Sequence, residues 1–285
     1  MTQDATLSKL AQALRSGRLA IVAECVPAAV NDAEALKRLA AAFPPLDAVV
    51  VGSDSVSALV CSTLLAAQGV ETVLCLSTGD RNRAALLADA RGAALLGVRN
   101  VLCVSGDHPS LGASPEAAAA FDIDPVQLVQ VLRNSGDAAS TLLVGAEVYP
   151  QLRPLDLALI DTRKKVAAGA GFLITQPIFD SDAFDEWMTA VREEGLSDRT
   201  AILAGVQALT GVDEAIALQQ RRRIPDDVIA RLTGAGDVAV EGIAVSTEVA
   251  ARLAGIDGVR GLYIRSPDKP ENVAEIMRRA GLRVA

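Results

Sequence analysis

The feature that most constrains this chain is a rhythm. Short apolar runs alternate with helix-like stretches about eight times along 285 residues. After a first amphipathic helix at about 7–15, the runs fall at 19–26, 47–51, 72–76, 100–104, 141–148, 172–175, 201–204 and 261–264. Such runs, bounded by turn residues, read as buried strands. Helical stretches lie between them, the first capped by Asn31 or Asp32, another starting at Ser55, and others opening at Pro125, Pro154 and Pro225. A long loop at 106–121 breaks the rhythm. Strand–helix alternation implies a parallel sheet covered on both faces. Eight units at this length, close to the roughly 250 residues typical of such folds, favour an α/β (β/α)8 TIM barrel over an open doubly wound sheet. No G-x-G-x-x-G follows the first strand, which argues against a dinucleotide-binding Rossmann domain. The expected organisation is one barrel spanning 1–285, with an extra helix at about 6–16.

The segment at 164–180, KKVAAGAGFLITQPIFD, displays one unit. Lys164 and Lys165 sit in the last turns of a helix, where positive charge complements exposed carbonyls. Gly169 and Gly171 can supply the positive φ that turns helix into strand. Gln176 follows at the strand's carboxyl end. There it points into the mouth where barrels bind ligands, or it bonds nearby backbone as an ordinary strand-ending polar residue.

Other strand ends carry unusual residues. Glu24 interrupts the apolar IVAECVP run. A carboxylate buried there is costly unless it is paired or protonated. One kept neutral by desolvation can act as a general acid, and one paired to a neighbouring strand is structural. Ser105-Gly106-Asp107-His108-Pro109 follows the fourth strand, with a glycine that admits close backbone approach and a carboxylate beside it. Glu147 and Tyr149-Pro150 end the fifth. Asp161 lies one helical turn before Lys164 and Lys165, a spacing that suits an anion site or a surface ion pair.

Composition narrows the function. The chain is 51% hydrophobic but only 3% aromatic, so its core is aliphatic. A net charge of -8 argues against nucleic acid or an anionic membrane as partner. The amino terminus lacks an apolar run suited to a signal or a span, so a cytoplasmic location is expected. The four cysteines, Cys25, Cys61, Cys75 and Cys103, have no metal-binding spacing. Three of them lie in strand-like runs as small hydrophobes. His108 is the only histidine, which excludes a multi-histidine metal site, and no metal is expected.

Read together, the segments resemble the methylenetetrahydrofolate reductase family along nearly the whole chain. The matching pieces come in order: Glu24 with Pro27, DRN at 80–82, GDHP at 106–109, FDIDPVQL at 121–128 and GAEVYP at 145–150. RKKVAAGAGFLITQPIFD at 163–180, IPDDVIARL at 224–232, EGIAVSTE at 241–248 and GVRGLYI at 258–264 complete the set. The resemblance implies a (β/α)8 barrel carrying FAD, ahead of FMN, at the strand ends. It implies reduction of 5,10-methylenetetrahydrofolate to 5-methyltetrahydrofolate by hydride transfer, with NAD(P)H or a partner protein as electron donor. It assigns Glu24 as general acid, Asp107 beside flavin and pterin, and Gln176 to folate. Ser105, Gly106, Tyr149, Asp161 and Lys165 fall where the family binds flavin, and Lys269 falls near a basic residue that meets the folate tail. A homo-oligomer taking a reduced folate as substrate is expected.

The chain departs from the family pattern at four places. Pro27-Ala28 replaces a pair of prolines, Cys75 a histidine and Gly79 an arginine, and 203–209 lacks the usual prolines. Two other readings compete. One is a pterin-binding methyltransferase barrel, which the lack of a thiol-activating cysteine cluster disfavours. The other is a barrel serving as scaffold in an electron-transfer complex.

Overall fold

All eight apolar runs are strands in the computed structural model, which describes residues 7–26, 32–52, 56–111, 114–222, 224–266 and 269–283. They are β1 (Ala20–Cys25), β2 (Ala48–Val51), β3 (Thr72–Ser77), β4 (Asn100–Val104), β5 (Leu143–Val148), β6 (Phe172–Pro177), β7 (Ala201–Gln207) and β8 (Val259–Arg265). Each pairs in parallel with the next, and β8 pairs with β1. The result is a closed barrel in sequential order. The helices are α1 (Lys9–Ser16), α2 (Ala33–Ala42), α3 (Ala58–Ala66), α4 (Arg83–Leu95), α5 (Pro125–Arg133) and α6 (Leu155–Ala168). They continue with α7 (Ser181–Glu193), α8 (Val212–Arg222), α9 (Asp226–Thr233), α10 (Val238–Ala254) and α11 (Pro270–Arg279).

Side-chain alternation divides each strand between two cores. Ala20, Val22, Val50, Val73, Leu102, Phe172, Ile174, Leu203 and Tyr263 fill the barrel, and Leu10 and Ala13 of α1 pack with them. Ile21, Ala23, Leu74, Cys103, Ala146, Leu173 and Leu262 face the helical shell, where Leu128, Trp187 and Met188 meet them. Both strand faces are thus buried, which is why the runs read as continuously apolar. Gly145 stands beside Phe172 inside the barrel, and a Cβ there would collide with the ring. Small against large is how a barrel interior fills in layers.

Helix starts follow their side chains. Asp32, Asn82, Asp124, Asp180 and Asp237 each accept a backbone N–H in the first turn, and Asp124 and Gln127 form a reciprocal capping box. Asn31 and Ser55, the other expected starts, and Pro27 and Ala28 lie outside the described residues.

Three expectations change. Of the two glycines before β6, only Gly169 takes positive φ, at 101°. Gly171 is required instead for space, because a Cβ would lie 2.9 Å from Leu143. Thr141, expected to open β5, instead ends a 3-10 turn over 138–141, in which the Asp137 side chain accepts the Ala139 N–H at 2.9 Å. Strands β6, β7 and β8 run past their apolar stretches to Pro177, Gln207 and Arg265. On β6 and β8 pairing continues where the inward side chains Gln176 and Arg265 turn polar, since they face a cavity rather than the core. Among the described residues no helix is long and apolar enough to cross a membrane.

Candidate functional site

A cavity of about 680 Å³ opens at the carboxyl ends of the strands, the face where barrels of this kind place their chemistry. Its lining includes Glu24, Cys75, Gly106, Asp107, Glu147, Tyr149, Gln176, Tyr263 and Arg265. Alternation explains the set. Glu24 continues the inward series 20, 22, 24, and Gln176 the series 172, 174, 176. Tyr263 and Arg265 are likewise two apart on β8. A bulge between Ile174 and Pro177 sits beside Gln176, as bulges commonly do next to ligand sites.

Two polar groupings share the cavity floor. In the first, Glu24, 8% exposed, is paired to the neighbouring strand β8. Its Oε1 accepts from the Tyr263 hydroxyl at 2.9 Å, and its Oε2 from Arg265 Nε at 3.1 Å. Arg265 Nη2 lies 2.9 Å from Oε1, completing a two-point fork. Burial works against the Arg265 charge, but Glu24 foremost, then Tyr263 and Glu147, outweigh it and raise the guanidinium above its ordinary value. Burial first, then the Glu24 charge, also raises the Tyr263 phenol well above its usual range. The apolar setting of Glu24 in the sequence is thus completed by a cation that the sequence reading missed. Arg265 lies one residue past the apolar run, and extending the inward alternation of β8 from Tyr263 would have found it.

In the second grouping, Gln176 Nε2 donates to Glu147 Oε1, and the Tyr149 hydroxyl donates to Glu147 Oε2 at 2.8 Å. A carboxylate only accepts, so the amide of Gln176 must turn its nitrogen to Glu147. The amide oxygen is left buried without a partner among the described residues. Behind Tyr149, Lys165 Nζ lies 5.4 Å from the ring centroid and 2.6 Å from Asp161 Oδ2. A lysine near the end of α6 reaches that far because helical side chains lean toward the amino terminus. Glu147 is a second residue the sequence reading did not place in the site.

The loop after β4 supplies the rim. Gly106 has φ of 72°, and a Cβ there would collide with Ser77 Oγ. Ser105 offers its carbonyl to Ser77 Oγ at 3.2 Å. Asp107 is exposed and makes no hydrogen bond or ion pair among the described residues, so its carboxylate is available to a ligand. Lys269, at the start of α11, is exposed and does not line the cavity. Burial pushes the thiols of Cys25 and Cys75 up to about 12, so both remain neutral, as expected of small hydrophobes.

Among the described residues, the cavity offers the phosphates of a flavin dinucleotide no unpaired lysine or arginine. Lys165 is only 4% exposed and is bound to Asp161, and neither residue lines the cavity. The two arginines that do line it are paired, Arg81 with Asp89 at 2.6 Å and Arg265 with Glu24. Lining carboxylates are Glu24, Asp80, Asp89, Asp107 and Glu147, which outnumber those cations. FAD titrated into wild type and Lys165→Met should therefore give the same binding curve. A weaker curve for the variant would return the lysine to the phosphates.

Comparisons with known proteins agree with the fold. A protein from Clostridium thermocellum, described as binding two copies of 5-methyl-5,6,7,8-tetrahydrofolic acid, superposes with a TM-score of 0.69 at 14% identity, covering 96% of this chain and 98% of its own. A 2,3-dimethylmalate lyase superposes at 0.53 with 11% identity, covering 97% of this chain and 86% of its own. At such identities the likeness is one of fold. The 5,10-methylenetetrahydrofolate reductase of Pectobacterium carotovorum is 27% identical over 177 residues, 59% of this chain and 57% of that protein. A probable methylenetetrahydrofolate reductase (NADPH) of Caenorhabditis elegans is 24% identical over 234 residues, 79% of this chain and 34% of its own length. The chain thus spans about half or less of these relatives' lengths. The family described as methylenetetrahydrofolate reductase matches residues 9–281, and the chain belongs to that family.

Proposed function

We propose that the cavity binds a reduced folate and that the chain reduces 5,10-methylenetetrahydrofolate to 5-methyltetrahydrofolate. The observation that carries this reading is the amide oxygen of Gln176. It belongs to a side chain 5% exposed, its orientation is set by Glu147, and it has no partner among the described residues. A buried acceptor held toward a cavity calls for a ligand N–H, and a reduced pterin offers several, those at N3 and the 2-amino group among them. The Clostridium thermocellum neighbour binds 5-methyltetrahydrofolic acid, which is the product of this reduction.

In this reading Gln176 seats the pterin and Glu147 holds Gln176, with Tyr149 as the prop and Lys165 and Asp161 behind it. Opening the five-membered ring takes a proton to N10 from Glu24, the general acid that the family resemblance assigns, breaks the bond from N10 to the bridging carbon, and leaves a cationic iminium at N5. A hydride, which a reduced flavin ring at the mouth would supply after taking two electrons from a reduced nicotinamide or a redox partner protein, converts the iminium to N-methyl. Glu24 and Asp107 present carboxylates to that cation, where opposite charge in a water-poor site is strongly favourable. The family's flavin enters this reading only as a ring seated near Gly106, Asp107 and Tyr149, without contacts from Asp161 or Lys165 to its phosphates. Lys269 would meet a folate tail outside the cavity.

The test is an anaerobic assay of the purified chain with 5,10-methylenetetrahydrofolate and NADH or NADPH, with and without added FAD, alongside its visible spectrum. Formation of 5-methyltetrahydrofolate is expected. Binding is tested separately by titration with 5-methyltetrahydrofolate. Gln176→Leu should weaken it about tenfold, as loss of one buried hydrogen bond predicts. No product with either nicotinamide or a chemical reductant, together with no binding, would sink the reading.

A further inference from the structure

We propose that the amino-terminal end of the barrel carries a second binding site, one that takes a small oligophosphate, either inorganic or as the triphosphate of a nucleotide. The proposal does not depend on the folate reading, since the site lies at the opposite end of the strands from that cavity.

A cavity of about 790 Å³ opens there, within the size range of small-molecule sites. Helix α1, whose Leu10 and Ala13 pack into the barrel interior, forms one wall. The other walls come from the segments that lead into β4, β5, β6, β7 and β8. Arg15 of α1, Arg99 before β4, Arg133 at the end of α5, Arg199 before β7 and Arg260 in β8 all line it. Asp198 is the one carboxylate in the lining among the described residues. Five guanidinium groups in one cavity stand out in a chain of net charge -8. The cavity at the other end of the strands has the reverse balance, with carboxylates in excess.

These arginines are not used up inside the protein. Elsewhere arginines pair, Arg18 with Asp47, Arg163 with Glu194, and Arg231 with Glu241 and Glu248. Arg15, Arg133, Arg199 and Arg260 are exposed and make no ion pair among the described residues. Arg99 gives an N–H to the Leu7 carbonyl at 3.4 Å. Glu71, the carboxylate close to α1, accepts instead from Asn100 and from the Lys9 N–H. A lone exposed arginine is ordinary, because its head group stays in water. Several around one cavity repel one another, and an anion that bridges them relieves the repulsion.

The lining narrows the anion. Guanidinium forks match the oxygens of phosphate and carboxylate. An excess of four positive charges, five arginines against Asp198, calls for a ligand of several charges, and a chain of phosphates concentrates them in little volume. No aromatic ring lines the cavity among the described residues. A base would therefore find nothing to stack on, and recognition rests on the phosphates. Thr200 adds a donor. It lines the cavity, is 4% exposed, and its hydroxyl has no hydrogen-bond partner among the described residues. A buried hydroxyl without a partner is costly, and a phosphate oxygen supplies one. A ligand here joins α1 to the strands it closes. Its effect falls on stability rather than on turnover, as suits the amino-terminal face, and grows with ligand concentration by mass action.

The test is calorimetric titration of the full-length chain with sodium tripolyphosphate and with ATP, at fixed ionic strength and without divalent cations. Saturable binding at one site per chain is expected, with a rise in Tm that sodium chloride at equal ionic strength does not give. Arg15→Gln/Arg199→Gln should weaken binding at least about tenfold, since each guanidinium contributes a charge-assisted hydrogen bond. The ligand-free double variant should be at least as stable as wild type, because like charges have been removed. Thr200→Val should also weaken binding, while the ligand-free protein keeps its Tm because no hydrogen bond is lost. Equal affinities for the two ligands would show that the phosphate chain alone is read, and tighter binding of ATP would make the source a nucleotide.

Saturating 5-methyltetrahydrofolate should leave the oligophosphate affinity unchanged. Competition between the two would move the anion to the folate cavity and overturn the proposal. Wild-type affinity in either variant overturns it as well, as does a Tm rise matched by chloride. Binding of an oligo-aspartate peptide but of neither phosphate ligand would make this end a docking surface for an acidic protein segment, and would also overturn it. A protein that binds tripolyphosphate but neither binds nor reduces folate overturns the proposed function and leaves this site standing.

Discussion

Glu24→Gln is expected to lower 5,10-methylenetetrahydrofolate reduction by about 10²–10³-fold, the usual cost of removing one preorganised charge contact to a transition state. It should also lower stability, by a different route. Arg265 keeps its burial and loses its counter-ion, a loss on the order of 3 kcal/mol for a largely buried pair. The double variant Glu24→Gln/Arg265→Met separates the two effects. It removes both charges, so stability should recover much of the loss, whereas reduction should not recover. Urea unfolding and steady-state kinetics on the two single variants and the double variant complete the cycle. If activity returned along with stability, Glu24 would be a structural carboxylate and the chemistry would lie elsewhere in the cavity.

Asp47→Ala should produce the largest loss of stability away from the cavity. Asp47 lies just before β2 and is 2% exposed. It accepts the Ile21 N–H at 2.8 Å and the Arg18 guanidinium through both carboxylate oxygens, one of them at 2.9 Å. Its removal leaves the Ile21 N–H unsatisfied beneath the barrel and Arg18 without its partner. Arg18 is about a third exposed, so part of its charge returns to water. A destabilisation of about 2–3 kcal/mol is expected, a large share of the roughly 5–15 kcal/mol that holds a domain folded. Asp47→Asn keeps an acceptor for Ile21 and should lose less. Both variants should retain full kcat/KM at a temperature where they are folded, because the amino-terminal face of a barrel serves stability. A drop in kcat/KM without unfolding would show that the two ends of the barrel are coupled.

Several motifs behind the family resemblance owe their residues to the fold. Asp124 and Gln127 within FDIDPVQL make a capping box, and Asn82 of DRN caps α4. Gly242 of EGIAVSTE stands so close to the Leu209 carbonyl that any Cβ would collide with it. Glu241 and Glu248 of the same motif both hold Arg231 of α9. Lys165 of KKVAAGA props Tyr149. A motif can thus identify a family accurately while most of its residues shape the barrel, and a smaller number touch the ligand.

The sequence by itself determined the architecture. Apolar runs buried on both faces, helix starts marked by Asp and Asn, and Gly169 as a left-handed helix stop are local properties, and local chemistry suffices to place them. It also singled out Glu24, Asp107, Tyr149 and Gln176, because a polar residue at the end of an apolar run stands out. Only the tertiary structure decided which side chains meet. Glu24 and Arg265 are 241 residues apart, and Gln176 and Glu147 are 29 apart. Their contacts exist because the barrel closes β8 onto β1 and sets β5 beside β6. The sequence alone left Lys165 and Asp161 open as an anion site or an ion pair, since a spacing of four allows both. The buried position of Lys165 behind Tyr149 selects the ion pair. A charged side chain is governed by whichever opposite charge the fold brings within reach, and that distance is a property of the closed barrel rather than of any one segment.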